Sequence, residues 1–567
     1  MFIFLIKLKK RFKKWGIIMK KRKKKLPIGL SDFKEIIEYD YYYFDKTKFI
    51  ENILEDRSKV KLFTRPRRFG KTLNISMLKY FFDVKNKDEN RKLFEGLNIS
   101  KSEYFEKQGE FPVISISFKN YNKNDWESGF KLIKSTISDI YAKFEDLMDH
   151  LNKRELKKFE DIWLEKDEGD WEKSLLNLTK YLYNYYGKKV VVLIDEYDQP
   201  IINSYIKDYY NKIIDFFKNF YGAVLKDNEY LEMSIMTGIL RVAKENIFSG
   251  LNNIKVHSIL NKQFTEYFGI LENEVEEALI KDFNLEYDLL DVQKWYNGYL
   301  FGDIKVYNPW SIINFLDEKK LRPYWIGVSG NKTIYDLLGK ADKKVIEDLE
   351  KLFVGKTVYK AINEYMEYVF NASDIWELFL YSGYLTTDGE KKGELYPLRL
   401  PNKEIQTFFR KIFIDRFVGN YTQFSNIVEN LKNGKIEEFA KGLQDEILSS
   451  LSYFDTEKDE KYYKIFLIGI FIILENDYIR LSERESGYGR ADLVLEPKNK
   501  INPAYIFEFK AVNNEDELEN YAKAGFEQIK EKEYDVELRN RGTDRIVCVG
   551  LAFYRKKIKM KYEIMEK

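Results

Sequence analysis

The stretch that most constrains the fold is Lys61–Met77, KLFTRPRRFGKTLNISM, which has the pattern of a strand, a sharp loop and a helix start. Gly70, Lys71 and Thr72 stand at the junction, where the first free N–H groups of the helix point back at the loop. A P-loop needs such donors, a lysine ammonium for the β- and γ-phosphates and a hydroxyl for Mg²⁺. The stretch therefore predicts a site for nucleotide phosphate and Mg²⁺.

The loop departs from the general pattern GxxxxGK[ST] at one position. Position 65 should be glycine, but this chain has arginine there, followed by Pro66–Arg68. Taken alone, the motif is equally compatible with a basic strand-to-helix turn. The choice depends on whether a second half of a nucleotide site is present.

A buried strand that ends in two acidic residues supplies that second half. Lys189–Pro200 reads KVVVLIDEYDQP, and its apolar run Val190–Ile194 is long enough for a central parallel strand covered on both faces. A P-loop ATPase uses a neighbouring strand of this kind to hold the Mg²⁺ shell. Asp195 is predicted to orient Mg²⁺ through water and Glu196 to polarise the attacking water. Carboxylates that merely meet solvent are the plainer alternative, which the P-loop disfavours.

Composition bounds the class of protein. A chain of 567 residues is too long for one core, so two to four domains are expected. The single cysteine, Cys548, excludes an internal disulfide and a cysteine-cluster zinc site, and it fits a reducing compartment such as the cytoplasm. The two histidines, His150 and His257, are far apart in the sequence and indicate no metal centre.

Charge is unevenly distributed along the chain. Residues 1–25 hold twelve of the 95 Lys and Arg residues and no acid, so the other 542 residues carry 83 basic against 92 acidic side chains. A uniformly basic surface is therefore excluded, and any binding of nucleic acid would have to use local patches. The leader begins with six apolar residues, too few for a signal segment or a membrane span. We predict a disordered basic arm; a start at Met19, or an arm that contacts nucleic acid, are alternatives.

Several segments together resemble one known family. PIGLSDF, YYYFDKT and LFTRPRRFGKT lie within residues 27–72, and LIDEYDQPI, ILRVAKENIFSGLNNI and WYNGYLFGDIKVYNPWSI follow. They resemble the bacterial and archaeal AAA-ATPase-like family that carries a C-terminal PD-(D/E)XK nuclease domain. RPRRFGKT is the usual loop of that family, which removes the objection at position 65. The resemblance implies ATP and Mg²⁺ as cofactors, with nucleotide contacts from Arg68, Gly70, Lys71, Thr72, Asp195 and Thr237.

Two further apolar runs predict more strands of one parallel α/β sheet. Phe111–Phe118 alternates and is rich in β-branched residues, and Leu231–Ile239 follows the acidic strand. We expect the four strands to be adjacent, with the nucleotide at their carboxyl ends. Thr237 then lies where AAA-type folds place a sensor of the γ-phosphate. For Arg241 two roles are equally compatible with the sequence: a contact to phosphate in cis, or an ion pair with Glu245.

The region 256–430 lacks a second phosphate motif, and the resemblance assigns it to a helical lid and connecting region. Four aromatic residues there could form a base-stacking platform, although packing of the lid is favoured: Trp295, Tyr299, Tyr307 and Trp310. A soft boundary is expected at Val428–Lys435. The predicted domains are a basic leader (1–25), the ATPase domain (26–255), the lid region (256–430) and a nuclease-like α/β domain (436–567).

The C-terminal part contains a second candidate site. Arg484–Pro497 and Ala504–Ala511 predict two strands joined by a turn at Lys498–Pro503. Asp492 is expected on the first strand, while Glu508 and Lys510 share one face of the second. Phe507, Phe509 and Ala511, on the opposite face, are expected to point to the core.

The spacing D-x₁₅-E-x-K suits metal-dependent phosphodiester hydrolysis. Two carboxylates, Asp492 and Glu508, would bind Mg²⁺ or Mn²⁺, and the ammonium of Lys510 would stand near the attacking water. The Phe509 carbonyl could be a third ligand. A solvated strand face is the plainer alternative for E-x-K alone, and no proline precedes the aspartate as in the strict signature.

Two helices accompany this site in the sequence. Tyr463–Leu474 is apolar all round but too short to span a bilayer, which predicts a buried helix. Asp516–Lys532 is amphipathic and carries Gln528. The resemblance adds Gln528 and the upstream Glu460 as supporting members of the catalytic set.

Two functions from different classes follow from these sites. The first is an ATP-controlled, metal-dependent nuclease acting on DNA or RNA, in defence against foreign nucleic acid or in mobile-element biology. The second is a STAND-like signalling or scaffold ATPase whose nuclease fold binds without cutting. Self-association into a homo-oligomer is left open, and no membrane association is expected.

Overall fold

The structure is a computed structural model that describes most of the chain. The described residues are 24–207, 209–240, 253–285, 287–325, 343–353, 355–363, 375–417, 421–450, 473–474, 477–480, 491–554 and 557–566. Almost all of the basic leader, Arg241, Glu245, Glu460 and most of the apolar segment Tyr463–Leu474 lie outside these ranges. The predictions made for them are therefore left as predictions.

The chain separates into two compact units. The first comprises Met1–Trp325 and Lys360–Asn402, and the second comprises Ile326–Tyr359 and Lys403–Lys567. The soft boundary expected at 428–435 overlaps the helix Tyr421–Lys432. The domain limits drawn from the sequence stay predictions.

Strands and helices alternate along the first unit, as an α/β fold requires. The strands of the described residues are β1 (Val60–Thr64), β2 (Val113–Ser117), β3 (Val190–Asp195), β4 (Leu231–Gly238), β5 (Ile254–His257), β6 (Tyr299–Phe301), β7 (Ile304–Val306), β8 (Val358–Ala361), β9 (Thr386–Thr387), β10 (Leu395–Arg399), β11 (Tyr478–Arg480), β12 (Leu493–Pro497), β13 (Ala504–Ala511), β14 (Arg545–Tyr554) and β15 (Lys557–Glu566). The α-helices are Phe33–Glu38, Lys48–Glu55, Lys71–Phe82, Lys87–Lys92, Trp126–Ala142, Lys153–Trp163, Ser174–Tyr186, Gln199–Ile206, Tyr210–Leu225, Glu272–Glu277, Leu289–Tyr296, Pro309–Glu318, Lys343–Phe353, Ile375–Tyr381, Lys403–Phe417, Tyr421–Lys432, Ile436–Ser450, Leu518–Glu531 and Val536–Asn540.

A five-stranded sheet organises the first unit. Its strand order is β2-β3-β4-β1-β5, and all four pairings are parallel. The prediction of a parallel α/β sheet is confirmed, and the four predicted strands form one continuous row. Two details differ: β5 at the edge was not predicted, and β4 lies between the loop strand β1 and the acidic strand β3. The acidic strand is therefore not the direct neighbour of the loop strand.

Burial explains why these short apolar runs form the central strands. Every residue of β1 and every residue of β3 is buried, as in strands covered on both faces. The helix Lys71–Phe82 packs against β3 and β4, and Trp126–Ala142 packs against β2. Because all five strands are parallel, their carboxyl ends meet at one edge, where the loop after β1 also lies.

The second unit contains a mixed sheet in the order β11-β12-β13-β14-β15. Only β13 and β14 pair in parallel, and the other pairings are antiparallel. The helix Leu518–Glu531 packs on β14 and meets it at two glycines. A Cβ at Gly550 would lie 2.1 Å from the Ala522 carbonyl oxygen, and one at Gly525 would lie 3.3 Å from the Glu508 carbonyl oxygen. This close approach brings the helix face that carries Gln528 onto the sheet.

The structure corrects two expectations for the second unit. Asp492 does not lie on the strand; it immediately precedes β12 and is exposed. The face opposite Glu508 is only partly buried, since Phe507 is buried, Phe509 is half-buried and Ala511 is exposed. The face of Glu508 itself is covered, because Ala504 and Ile506 pack in the same cluster as the helix residues Phe526 and Ile529. The helix that covers this face of β13 could not be read from a strand pattern alone.

His257 makes the stability of the first unit dependent on pH. Burial lowers the pKa of its imidazole from 6.5 to about 4, and its ring stacks on Phe63 with 5.1 Å between ring centroids. Below pH 6.5 this imidazole binds a proton in the unfolded chain but not in the folded chain. Its contribution to the free energy of unfolding is therefore complete above pH 6.5 and is lost as the pH falls towards 4. The loss should reach about 3 kcal/mol.

We expect His257→Phe to remove this acid sensitivity, because phenylalanine keeps the ring contacts and cannot bind a proton. Chemical unfolding followed at pH 7.5, 6, 5 and 4 measures it. The exposed His150, changed to phenylalanine, is the matched control and should keep the wild-type pH dependence. An unchanged slope between pH 6.5 and 4 in His257→Phe would contradict the assignment.

Candidate functional site

Asp195 links the P-loop to two other strands of the sheet. Thr72 Oγ1 donates to Asp195 Oδ2 at 2.8 Å, and Thr237 Oγ1 donates to Asp195 Oδ1 at 2.5 Å. Asp195 and Thr237 are each 1% exposed. The structure therefore brings together a loop hydroxyl, the acid at the end of β3 and the predicted sensor threonine on β4, although β4 separates the strands of the first two.

Lys71 lies under the loop and is held by it. Its Nζ donates to the carbonyl oxygens of Arg65 and Pro66, at 2.9 Å each, and the residue is 4% exposed. Burial lowers the pKa of the ammonium, and the nearby carboxylate of Glu196 opposes that shift. Gly70, with φ of 81°, occupies the N-cap of the helix and supplies the left-handed turn that the loop needs there.

Glu196 stands beside the phosphate loop in an unusual backbone conformation. Its φ of 52° is left-handed, and its N–H donates to Thr237 Oγ1 at 3.3 Å. Burial raises the pKa of its carboxyl. The positive charges of Lys71 and Arg67 oppose this rise only in part. A carboxyl with a raised pKa close to the lysine is suited to accept a proton from water.

Sequence reasoning missed two residues around Asp195. Ser117, the last residue of β2, has its Oγ 3.4 Å from Asp195 Oδ2 and can donate to it. Asp198 is 1% exposed, and its Oδ2 accepts from the N–H groups of Ile239 and Leu240 at 2.8 Å each. Asp198 could have been predicted as a member of the site, because it is the third acidic residue directly after β3. Nothing in the sequence distinguished Ser117 from other serines.

Asp198 and Tyr197 together hold the chain that follows β4. The Tyr197 hydroxyl donates to the Leu240 carbonyl at 2.8 Å. A Cβ at Gly238 would lie 2.6 Å from the Tyr197 ring and 2.8 Å from Asp198 Oδ1, so this glycine permits the close approach. The loop after β3 therefore fixes the segment immediately after Thr237.

Arg68, which the resemblance assigns to the nucleotide site, contacts an aromatic ring in the structure, and its role at the nucleotide stays a prediction. Its guanidinium stacks over the Trp310 ring, 4.0 Å from the centroid, and its φ is 68°. Trp310 thus contacts the loop, while Tyr299 and Tyr307 are buried, with Tyr299 packed edge-on against Phe69. For Tyr299 and Tyr307 this confirms the packing interpretation over a base-stacking platform.

The second site is built from β12, β13 and one helix. The register pairs Leu493 with Phe507, which places Asp492 opposite Glu508. Asp492 Oδ2 accepts from the Phe509 N–H at 2.8 Å. The carboxylate of Asp492, just before the start of β12, therefore accepts a hydrogen bond from the backbone between Glu508 and Lys510.

Gln528 joins the acid and the lysine of β13. Lys510 Nζ donates to Glu508 Oε1 at 3.1 Å and to Gln528 Oε1 at 2.6 Å. Gln528 Nε2 donates to Glu508 Oε1 at 2.5 Å and lies 3.5 Å from the hydroxyl of the buried Tyr534. The four predicted residues that the structure describes thus form one cluster, to which Tyr534 is an addition that the sequence did not indicate.

The two carboxylates have features that fit a divalent cation. Glu508 is 4% exposed, and its Oε2 has no hydrogen-bond partner in the described part of the chain. Burial raises the pKa of its carboxyl, and the negative charge of Asp492 adds to the rise. Within the described ranges no three His, Cys, Asp or Glu side chains converge on one metal position, so further ligands would be backbone carbonyls or water.

The fold and the two sites define a class of protein. The first unit has a parallel sheet with a loop of P-loop pattern, as in nucleotide-binding domains of ATPase type, and the second has a mixed sheet with an acid-acid-lysine cluster that is consistent with a nuclease-type fold. Comparison with known families agrees. Residues 27–248 match the family described as predicted AAA-ATPase, and residues 458–563 match the PD-(D/E)XK nuclease superfamily. The two matches follow one another in this order along the chain.

One relative has the same extent as this chain. It is an "Uncharacterized protein in vnfD 5'region" of Azotobacter chroococcum mcd 1, 27% identical over 549 residues, which cover 94% of this chain and 97% of the relative. The similarity therefore includes both domains. No helix among the described residues is long and apolar enough to cross a bilayer.

The two N–H groups bound by Asp198 generate a prediction on stability. Asp198→Ala removes the acceptor of two buried donors and should lower the free energy of unfolding by about 3 kcal/mol. Asp198→Asn keeps one acceptor oxygen at the same place and should lose less than about 1 kcal/mol. Thermal unfolding of the two variants beside the wild type measures the difference. Equal melting temperatures for the alanine and asparagine variants would show that these bonds do not stabilise the segment.

Proposed function

We propose that this protein binds and hydrolyses ATP at the edge of the parallel sheet and that this site controls a metal-dependent nuclease in the second unit. The observation that carries the proposal is the pair of hydrogen bonds by which Asp195 joins Thr72 and Thr237. It gathers a loop hydroxyl, an acid and a sensor at the carboxyl ends of three strands. Phosphate-binding ATPases need this combination.

Each residue of the first site has a distinct role in this proposal. Lys71 would exchange its two carbonyl partners for the β- and γ-phosphates. Thr72 and Asp195 would hold Mg²⁺, which neutralises phosphate charge when bound. Glu196 would orient the attacking water and take its proton, for which its raised pKa suits it. Thr237 would report on the γ-phosphate through its bond to Asp195.

Two substitutions should separate ATP binding from hydrolysis. Lys71→Ala removes the ammonium that neutralises phosphate and should weaken ATP affinity by tenfold or more as well as abolish turnover. Glu196→Gln keeps the shape of the side chain but cannot take a proton, so ATP should bind normally while turnover falls by about 100-fold. Titration with a fluorescent ATP analogue and phosphate release measure the two effects. Wild-type binding and hydrolysis in Lys71→Ala would overturn the assignment of the loop.

The second site supplies the parts of a hydrolytic centre. Asp492 and Glu508 would hold Mg²⁺ or Mn²⁺, which activates water and stabilises phosphorane charge when bound. Lys510 stands between Glu508 and Gln528, where its ammonium can act on the attacking water and on the developing charge. Gln528 keeps both groups in place through its hydrogen bonds.

The same contacts also favour a second function, a scaffold or signalling ATPase of STAND type whose nuclease fold does not cut. Asp492 is bound to a backbone N–H, and Glu508 Oε1 accepts from both Lys510 and Gln528. Asp492 Oδ2 and Glu508 Oε1 thus already accept from protein donors, which is compatible with a fold that binds a partner without a metal, although Glu508 Oε2 has no such donor among the described residues. Cleavage by the purified protein decides between the two.

We expect purified protein to cleave DNA or RNA with Mg²⁺ or Mn²⁺ in the presence of ATP, and Asp492→Ala to abolish cleavage. Asp492 is exposed, so its removal should leave ATP hydrolysis and the melting temperature largely unchanged. Lys510→Ala should reduce the rate more than the apparent metal affinity, because the ammonium does not ligate the ion. Gel assays on single- and double-stranded substrates across a metal titration measure this.

Two outcomes would contradict the nuclease proposal in different ways. No cleavage of any DNA or RNA by a wild-type protein that hydrolyses ATP would favour the scaffold. Undiminished cleavage by Asp492→Ala would place the nuclease centre at other residues. Exposed Asp516, changed to alanine, is the matched control for loss of one negative charge in the second unit and should cut like the wild type.

The wider setting of this activity belongs to the same proposal. A single, buried cysteine accords with a cytoplasmic protein. We propose three functional regions: an ATPase domain at 26–255, a lid region at 256–430 and a nuclease-like domain at 436–567. A role in defence or mobile-element biology, and assembly into a homo-oligomer, are the proposed context.

A further inference from the structure

The P-loop carries more positive charge than phosphate binding by one lysine requires. Within RPRRFGK three arginines precede Lys71. Each arginine has a different environment in the structure, although the sequence presents them as one basic run. Comparing these environments shows which of them is available to a nucleotide.

Arg65 is a structural residue of the sheet. It is fully buried, and its Nη1 donates to the carbonyl oxygens of Thr64 at 2.9 Å and His257 at 2.7 Å. Its guanidinium also lies over the Phe268 ring, 4.9 Å from the centroid. Arg65 therefore ties the end of β1 to the end of β5 and cannot reach a ligand.

Arg68 is engaged through the face of its guanidinium, which stacks at 4.0 Å on Trp310, although its buried Nη1 has no hydrogen-bond partner among the described residues. Moving it to a phosphate would break this contact and expose the indole. Of the three arginines, the two at the ends of the run are thus engaged with the protein itself.

Arg67 differs from both neighbours. Its half-buried side chain forms no hydrogen bond, ion pair or ring contact in the described ranges. Lys71 Nζ donates at 2.9 Å to the carbonyl oxygen of Pro66, the peptide group that joins Pro66 to Arg67, so Arg67 begins next to the group that holds the phosphate-binding lysine. Its positive charge also acts on Lys71 and on the carboxyl of Glu196. Arg67 is therefore a cation without a partner in the described part of the chain, and its charge acts on both the phosphate-binding lysine and the residue proposed to activate water.

The loop also lacks donors that a phosphate would use. Pro66 has no N–H, and the N–H of Arg65 donates to the Gly238 carbonyl at 3.0 Å. The first two positions of the loop therefore offer no backbone donor to a ligand. A guanidinium with five N–H groups at the next position can replace them.

Resting on the proposed ATPase function, we infer that Arg67 is a catalytic residue that binds the γ-phosphate of ATP in cis and stabilises the charge that develops during hydrolysis. Arg65 and Arg68 have structural roles: the first anchors the loop to the sheet, and the second attaches it to the helix that carries Trp310. An arginine supplied in cis or in trans commonly serves phosphoryl transfer in this way.

The test compares alanine variants of neighbouring arginines. Arg67→Ala should lower kcat for ATP hydrolysis by about 100-fold or more and weaken binding of a non-hydrolysable ATP analogue, while ADP affinity changes less than about threefold. Arg67→Lys should recover part of the rate, because it restores the charge without the fork. Arg68→Ala should lose less activity than Arg67→Ala. Arg91→Ala, whose guanidinium stacks on Phe105 at 4.1 Å, is the control and should behave like the wild type.

The possible failures can be told apart. A wild-type protein that neither binds nor hydrolyses ATP would refute the proposed function itself. A wild-type protein that hydrolyses ATP, with an Arg67→Ala variant of equal kcat, would overturn the role of Arg67 alone. A larger loss in Arg68→Ala than in Arg67→Ala would assign the phosphate contact to Arg68. Equal losses of ADP and ATP-analogue affinity in Arg67→Ala would reduce it to a loop-folding residue.

Discussion

The first unit depends on one buried carboxylate. Asp195 accepts hydrogen bonds from Thr72 and Thr237, and a buried carboxylate is tolerated only where such donors satisfy its oxygens. These bonds hold the start of the loop helix against two strands that the chain visits more than one hundred residues later. Every other group of the site is placed relative to this point, because the loop, the sensor and the water-activating residue all attach to the strands that it joins.

Among the described residues, the cations of the loop have no carboxylate as a hydrogen-bond or ion-pair partner. Lys71 and Arg65 donate to backbone carbonyls, and Arg68 stacks on an aromatic ring. Carbonyl and aromatic partners stabilise a buried cation less than a carboxylate does, and burial accordingly lowers the pKa of Lys71 and that of Arg65, the latter to about 9. An arriving phosphate would supply the negative charge that the loop lacks. The Glu508 site shows the opposite case, a buried acid whose free oxygen would gain from a cation.

Much of this arrangement could be predicted because it is local in sequence. The P-loop, the strand that ends in Asp195 and the E-x-K strand each consist of a few adjacent residues whose spacing sets the geometry. The predicted strands of the parallel sheet and the strand Ala504–Ala511 were found within two residues of their observed bounds, whereas the strand predicted at Arg484–Pro497 is observed only over Leu493–Pro497, and residues 484–490 lie outside the described ranges. What could not be predicted involves residues distant in the chain: the strand β4 between β1 and β3, the edge strand β5, Ser117 beside Asp195, and Tyr534 beside Gln528.

The sequence by itself determined the chemical groups and the parallel α/β class, since apolar runs that end in Gly-Lys-Thr and Asp-Glu can bury only in a sheet covered on both faces. Only the tertiary structure decided which arginines of the loop contact the protein and which one is available to a ligand. The sequence does not distinguish Arg65, Arg67 and Arg68. In the structure Arg65 donates to the end of β5, Arg68 stacks on a tryptophan more than two hundred residues away, and Arg67 has no partner among the described residues. The reason is physical: the side chain's neighbours come from distant parts of the chain, and a local pattern carries no information about them.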